Sequence, residues 1–149
     1  MFKIEDYLAF ITNQSGKLFS EALERDLRPY GVTRSQWIAL YFIHETPLIT
    51  QRQLAERMAI KEPSVVRLIQ KMESDNYLIR VPDESDKRNK QLKLTDKGNK
   101  TCLTLLPVAE AFKDNTIRGI SQEDLSTVMR VLNQMVDNAS EEDKQENIS

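Results

Sequence analysis

Apolar residues recur at every third or fourth position in six segments of the chain, a spacing that places them on one face of a helix. Between the fourth and fifth segments, residues 77–81 and 91–94 instead favour two strands, and the polar stretch 82–90 between them favours a β-hairpin. The predicted fold is therefore mainly α with one small hairpin. The predicted helices cover about residues 4–28, 33–46, 50–58, 63–76, 95–118 and 121–136.

Proline and capping residues predict where these helices begin and end. Pro29 stops the first helix, because the residue before a proline is pushed out of the helical region. Thr33 and Thr50 each precede a glutamine by three positions, which is the spacing of a capping box. Pro63 suits a first helical turn, and Asn76 suits the left-handed conformation that ends a helix. Two short capped helices followed by a hairpin predict a winged helix-turn-helix.

Composition argues against several other classes of protein. No apolar run approaches the roughly 18–20 residues that span a bilayer, and the first residues lack the apolar stretch of a signal peptide. The chain has one cysteine and one histidine, too few for a zinc cluster or an intrachain disulfide. None of the four glycines forms a phosphate-binding loop. We therefore expect a cytoplasmic protein that is not an enzyme and holds no metal or other cofactor.

The uneven distribution of charge points to a polyanionic partner. The whole chain has 21 Lys and Arg against 23 Asp and Glu, a net charge of −2. Residues 50–100 hold 12 of the basic residues and 8 of the acidic ones, and the rest of the chain holds the other 9 and 15. A basic middle between acidic flanks is consistent with binding to double-stranded DNA.

The second helix of the motif is the expected reading helix. Its first turns would present Ser64 and Arg67 outward, and an arginine can donate two hydrogen bonds to guanine. The alternative is an ordinary solvated helix face. The expected DNA-contact residues of the two helices are Thr50, Gln51, Lys61, Glu62, Ser64, Arg67 and Lys71.

The loop of the hairpin is the expected wing. Lys87, Arg88 and Lys90 could follow phosphates, and an arginine at the tip could enter a narrow minor groove, where the negative potential is enhanced. Asp86 could pair with an arginine and orient it. We expect the other acids of this loop to form the turn.

The outer helices carry more apolar surface than a small winged domain can cover, which usually marks an interface. We infer a homodimer, which would place two reading helices about 34–36 Å apart on a palindromic operator. The alternative is that these helices cover each other within one chain. The expected division is a dimerisation helix over 1–32, the winged helix-turn-helix over 33–98, dimerisation helices over 99–138 and an acidic, disordered tail over 139–149, all in one compact domain.

Four segments resemble the MarR/SlyA family of bacterial transcription regulators. They read TQRQLAERM at 50–58, PSVVRLI at 63–69, PDESDKR at 82–88 and LTDKG at 94–98. The Asp-x-Arg of the wing and the Leu-Thr-x-x-Gly after it are the most specific marks. The resemblance implies dimeric winged-helix repressors, sometimes activators, whose DNA binding is often relieved by small aromatic anions or oxidants. It also implies that Arg88 enters the minor groove and that Asp86 holds it.

The sequence departs from the family at a few positions. Lys61 and Glu62 stand where a small capping residue and a polar or basic residue are more common, which suggests a different operator sequence. Asn76 and Tyr77 replace a common Gly and Leu, and these changes are structural.

The resemblance also implies a ligand crevice between the dimer helices and the winged domain. Lys17 and Arg80 could pair with the carboxylate of a phenolic or aromatic-carboxylate effector, and Trp37 could stack on its ring. Trp37 and Tyr41 could instead be ordinary core residues. The candidate lining residues are Gln14, Lys17, Trp37, Tyr41, His44 and Arg80.

The sequence leaves two alternative functions open. The winged helix could serve protein contact without DNA binding. The chain could also be an oxidant-sensing regulator that acts through Cys102, although this cysteine lies in the helix after the wing, where a buried, unreactive thiol is expected. Cysteine-sensing members of the family carry theirs near the N-terminus.

Overall fold

The computed structural model describes residues 1–86 and 88–146, with side chains up to Ser140. The predicted mainly α fold with one hairpin is confirmed. Short 3-10 turns stand at Ile4–Asp6 and Arg28–Tyr30, on either side of the first helix. The elements are α1 (Leu8–Leu27), α2 (Arg34–Glu45), α3 (Gln51–Met58), α4 (Glu62–Ser74), β1 (Leu78–Pro82), β2 (Lys90–Leu94), α5 (Asp96–Thr116) and α6 (Gln122–Glu146).

Both predicted capping boxes are present. The Thr33 hydroxyl accepts the Gln36 N–H at 3.1 Å, and the Gln36 side chain accepts the Thr33 N–H at 3.0 Å. Thr50 and Gln53 repeat this exchange at 3.1 and 3.0 Å. The reciprocal bonds satisfy N–H groups that a helix start leaves without partners, so α2 and α3 begin where the sequence predicts.

Helices α3 and α4 form the predicted helix-turn-helix. Ala59 ends α3 in the left-handed conformation, with φ at 55°, and Lys61 is the extended residue from which α4 starts. The inner face of α4 consists of Val65, Ile69 and Met72, which are fully buried. Burial of this face in the core with α2 and α3 fixes which side of α4 is left for solvent.

The wing is an antiparallel pair in which Leu78 lies opposite Leu94 and Pro82 lies opposite Lys90. The segment before α3 adds a short third edge that the sequence did not predict. The Leu48 N–H donates to the Leu92 carbonyl at 3.1 Å, and the Leu92 N–H donates to the Ile49 carbonyl at 2.9 Å. These bonds attach the base of the wing to the start of the helix-turn-helix.

The start of α5 is joined closely to the turn between α4 and β1. The Thr95 hydroxyl accepts the Gly98 N–H at 3.1 Å and donates to the Asn76 carbonyl at 2.6 Å. Asn76 has φ at 64°, so the predicted left-handed end of α4 is confirmed. Gly98 is buried, and a Cβ at this position would overlap the Tyr77 carbonyl oxygen.

The chain divides into two compact units, residues 1–112 and 113–149. In the second unit, the Ser121 hydroxyl accepts the Asp124 N–H at 3.1 Å and caps α6. The helix continues to Glu146, so the backbone of residues 139–146 is helical where the sequence predicted an irregular tail. That segment consists mostly of Ala, Glu, Lys and Gln, which are good helix formers without an apolar stripe. None of the helices in the described residues is long and apolar enough to cross a membrane.

Candidate nucleic-acid interface

The outer face of α4 carries the residues predicted to read DNA. Ser64 and Arg67 are exposed on the side opposite the buried Val65 and Ile69. Lys61 and Glu62 are exposed at the start of the helix. The helix therefore offers hydrogen-bond donors along its first two turns.

The remaining helical candidates are partly engaged within the protein. Lys71 is exposed and lies 3.2 Å from the Asp75 carboxylate, which offsets part of its charge. The Thr50 hydroxyl accepts a capping bond, and the Thr50 backbone pairs with Gln91. Gln51 is half-buried, and its side-chain oxygen has no hydrogen-bond partner within the described residues. Thr50 and Gln51 are therefore only partly accessible for contact with DNA, and Thr50 also caps α3.

The wing loop orients an exposed arginine with an aspartate. The Asp86 carboxylate accepts the Arg88 backbone N–H at 3.0 Å and lies 3.8 Å from the Arg88 Nε. The Arg88 side chain is 96% exposed, so its guanidinium projects from the protein. Lys90, at the start of β2, is also exposed, whereas Lys87 lies outside the described residues.

Asp83, another acid of this loop, shapes the turn, as the sequence suggested. The Asp83 carboxylate accepts both the backbone N–H and the hydroxyl of Ser85, at 2.9 and 2.6 Å. These hydrogen bonds stabilise the charged form and lower the pKa of Asp83 below its ordinary value. The Asn89 N–H closes the turn by donating to the Asp86 carbonyl at 3.0 Å.

Arg80, a candidate ligand residue, is paired with an acid that the sequence analysis did not single out. Its Nε and Nη2 donate to the two carboxylate oxygens of Glu73 at 3.2 and 3.0 Å. The hydrogen bonds lower the pKa of Glu73 and raise the pKa of Arg80. The acids at the end of α4, Glu73 and Asp75, are candidate partners of Arg80 in the sequence, but spacing alone does not select between them.

The other candidate ligand residues lie in different environments. Trp37 is buried in the core, and the Tyr41 ring lies 5.9 Å from it, which agrees with ordinary core packing for Trp37. The Nδ1 atom of His44 lies 3.5 Å from the side-chain oxygen of Asn99. Gln14 and Lys17 are exposed on α1. Lys17 lines an open cavity with Asn13, Gly16, Ser20, Glu21 and Arg34.

Cys102 is fully buried in α5. Burial raises the pKa of its thiol, and the nearby Glu45 carboxylate raises it further. Because the thiolate is the reactive form, a protonated and buried thiol is a poor oxidant sensor.

The helix-turn-helix of α3 and α4, followed by a hairpin against which α4 packs, defines the winged helix-turn-helix class. Residues 30–89, which contain this motif, match the model of the MarR family. This match confirms, over these residues, the resemblance drawn from the sequence.

Solved structures of MarR-family and similar proteins share this fold. AbsC, a MarR family transcriptional regulator from Streptomyces coelicolor, is 24% identical with a TM-score of 0.84, over 94% of this chain and 97% of that one. BpsR from Bordetella bronchiseptica, whose DNA binding is regulated by 6-hydroxynicotinic acid, is 16% identical with a TM-score of 0.84, over 92% and 98%. MepR from S. aureus, in complex with DNA, is 18% identical with a TM-score of 0.81, over 87% and 96%. At these identities the likeness is one of fold.

Proposed function

We propose that the protein is a sequence-specific DNA-binding transcriptional regulator, a cytoplasmic repressor that binds a palindromic operator as a homodimer. The observation that carries this proposal is the pairing of two exposed features on one winged helix-turn-helix. Helix α4 buries one face and exposes Ser64 and Arg67 on the other. The wing exposes Arg88 and holds its backbone with Asp86.

Each feature suits a different part of a DNA duplex. Arg67 and Ser64 would contact base edges or phosphates in the major groove, since a helix fits that groove. Lys61, Lys71 and Lys90 would contact phosphates, which supply affinity but little sequence information. Arg88 would enter the adjacent minor groove. The same fold is found bound to DNA in MepR, which supports this arrangement.

The operator can be identified by selecting fragments from a genomic DNA library with the purified protein. We expect the selected fragments to share a two-fold symmetric sequence whose half-sites are about 10 base pairs apart, centre to centre. Target promoters would then show whether the operator overlaps the start of transcription, as repression requires. If the selected fragments share no common sequence, or share one without two-fold symmetry, the protein does not recognise a palindromic operator as proposed.

Exposed apolar residues on α1 and α6 support the proposed homodimer. On α1, Leu18 is 62% exposed and Phe19 is 57% exposed. In α6, Val128 and Met129 are exposed to a similar degree. Exposed apolar side chains of this kind are typical of an interface between chains. We therefore propose dimerisation regions over 1–32 and 99–138 that flank the DNA-binding region 33–98.

Phe19→Glu is expected to convert the dimer to a monomer, because it places a charge on the proposed apolar interface. The dimer dissociation constant should rise at least about 100-fold, which corresponds to a lost interface hot spot. Analytical ultracentrifugation measures this constant, and circular dichroism checks that the variant is folded. Asn13→Glu is the matched control, since it adds the same charge at an exposed polar position of α1. If Phe19→Glu and Val128→Glu both stay dimeric, the proposed interface is wrong.

We further propose that a small phenolic or aromatic-carboxylate effector weakens operator binding. The regulation of BpsR by 6-hydroxynicotinic acid supports this class of ligand. Salicylate at millimolar concentration should raise the operator dissociation constant by about 5–150-fold, the usual range of coupling between two sites. A gel-shift titration measures the change, with sodium chloride at equal ionic strength as the control. An equal effect of both salts would count against an effector of this class.

A further inference from the structure

We propose that Glu73 and Arg80 form a positioning clamp, called here the helix–wing clamp, that sets the angle between the reading helix and the wing. The clamp would act on DNA binding through this geometry and without touching DNA. This inference rests on the DNA binding proposed above, and it assigns a role to two residues outside the expected contact surface.

The geometry of the pair suits a fixed connection. Glu73 lies in the last turn of α4, and Arg80 is the middle residue of β1. Two parallel hydrogen bonds, at 3.0 and 3.2 Å, join the guanidinium fork to both carboxylate oxygens. Bidentate pairs of this kind restrict orientation as well as distance. The side chains are 39% and 29% exposed, so solvent screens the pair less than an ordinary surface pair.

The helix–wing clamp spans the short turn between α4 and β1, which other hydrogen bonds already hold in place. The connection between α4 and β1 contains only residues 75–77. The Lys97 ammonium donates to the Asp75 carbonyl at 2.7 Å, and the Thr95 hydroxyl donates to the Asn76 carbonyl. These bonds fix the turn to the start of α5. Glu73 and Arg80 lie on either side of the turn, where a side-chain bond restrains the inclination of α4 against β1.

Removal of the Glu73 carboxylate should change DNA affinity in opposite directions for a charge effect and for a positioning effect. Glu73 brings a negative charge close to a surface proposed to meet a polyanion. If charge alone mattered, removal of this carboxylate would strengthen DNA binding. If the carboxylate holds Arg80 and thereby the wing, its removal weakens binding, because Arg88 and Arg67 no longer reach their grooves together.

The test compares the affinities of the wild type and Glu73→Ala for the selected operator. We expect a loss of about threefold per protomer and about tenfold for the dimer, near the lower end of measured coupling between contacting residues. Arg80→Ala should give a similar loss with an unchanged salt slope, and the double variant should lose no more than either single one. Exchange of the two charges, Glu73→Arg with Arg80→Glu, should restore part of the affinity.

Two further variants distinguish a positioning role of Glu73 from an effect of its charge, and a folding check accompanies them. Glu73→Asp keeps the charge and shortens the side chain, so it should also weaken binding if the bidentate geometry matters. Glu84→Ala removes an exposed acid from the wing and is expected to leave binding equal or tighter. Thermal melting by circular dichroism confirms that each variant is folded.

Several results would overturn the clamp. Tighter or unchanged binding by Glu73→Ala and Glu73→Asp would remove the positioning role. A salt slope lowered by about one charge per protomer in Arg80→Ala, or about two for the dimer, would show that Arg80 contacts a phosphate itself. These results leave the proposed function intact, because the wild type still binds. Failure of the wild type to bind any DNA in a salt-dependent way would instead remove the proposed function, and the clamp with it.

Discussion

Arg88→Ala is expected to weaken operator binding by about 100-fold. A specifically placed arginine contributes about 1–3 kcal/mol to DNA binding, and both protomers of the proposed dimer lose it. The structure supports a large effect, since the Arg88 side chain is 96% exposed and its backbone is already held by the Asp86 carboxylate. A loop whose backbone is ordered before binding loses less entropy when it binds.

Fluorescence anisotropy with labelled operator measures this loss at fixed salt concentration. Arg25→Ala is the matched control, because it removes the same exposed charge from α1, outside the proposed contact surface. Arg88→Lys should recover only part of the affinity, because an ammonium keeps the charge but lacks the planar fork. A loss of less than about threefold in Arg88→Ala, similar to that of Arg25→Ala, would remove the wing from the binding surface.

Gly98→Ala is expected to lower the free energy of unfolding by about 2–4 kcal/mol, a large effect for the addition of one methyl group. A Cβ at Gly98 would overlap the Tyr77 carbonyl oxygen and would also come within 3.3 Å of the Leu94 Cβ. The carbonyl belongs to the backbone and already accepts the Thr95 N–H at 3.1 Å, so it cannot move aside without breaking this bond. Helix α5 would have to shift away from the base of the wing.

Gly16→Ala is the control for this substitution. Gly16 is exposed in α1, and nothing lies within 4 Å of the position its Cβ would take. Since alanine is the better helix former, this variant should gain about 0.5–1 kcal/mol. Urea denaturation of both variants gives the two changes. If Gly98→Ala is as stable as the wild type, the close contact with Tyr77 does not hold α5 in place.

The close approach at Gly98 also explains the glycine of the Leu-Thr-x-x-Gly motif, which is one basis of the family resemblance. In the Leu-Thr-x-x-Gly segment, Leu94 lies in the core, and Thr95 caps α5 and bonds to the turn before β1. Gly98 lets the helix pass against the Tyr77 carbonyl. Leu94, Thr95 and Gly98 therefore each help to hold the start of α5 close to the end of α4.

Local chemistry made much of the fold predictable from the sequence. The capping boxes at Thr33 and Thr50 and the left-handed Asn76 depend on residues only a few positions apart, so their patterns can be recognised in the chain. The exposed face of α4 also followed from helical spacing, because the apolar positions determine which side is buried. The turn-forming role of Asp83 was predictable because its partner, Ser85, lies only two positions away.

Contacts between distant segments were not predictable in this way. The bond between Leu48 and Leu92 joins residues whose side chains give no sign of pairing, because backbone groups make it. The partner of Arg80 could have been any of several acids, and only the direction in which α4 runs against β1 selects Glu73. The ligand candidates were uncertain for a related reason, since Trp37 carries the same aromatic chemistry in a core as in a binding site.

The dependence of affinity on salt concentration is the sharpest test of whether the protein binds DNA through phosphate contacts. A dimer that contacts phosphates with Lys61, Lys71 and Lys90 from both protomers releases counterions, so its affinity falls steeply as salt rises. Between 50 and 200 mM salt we expect a loss of about 10³–10⁵-fold, the range for 6–10 phosphate contacts. Anisotropy titrations of the wild type at several salt concentrations give the slope. An affinity that stays within about threefold over this range, or no affinity at any salt concentration, would rule out DNA binding of this kind and favour a winged helix used for protein contact.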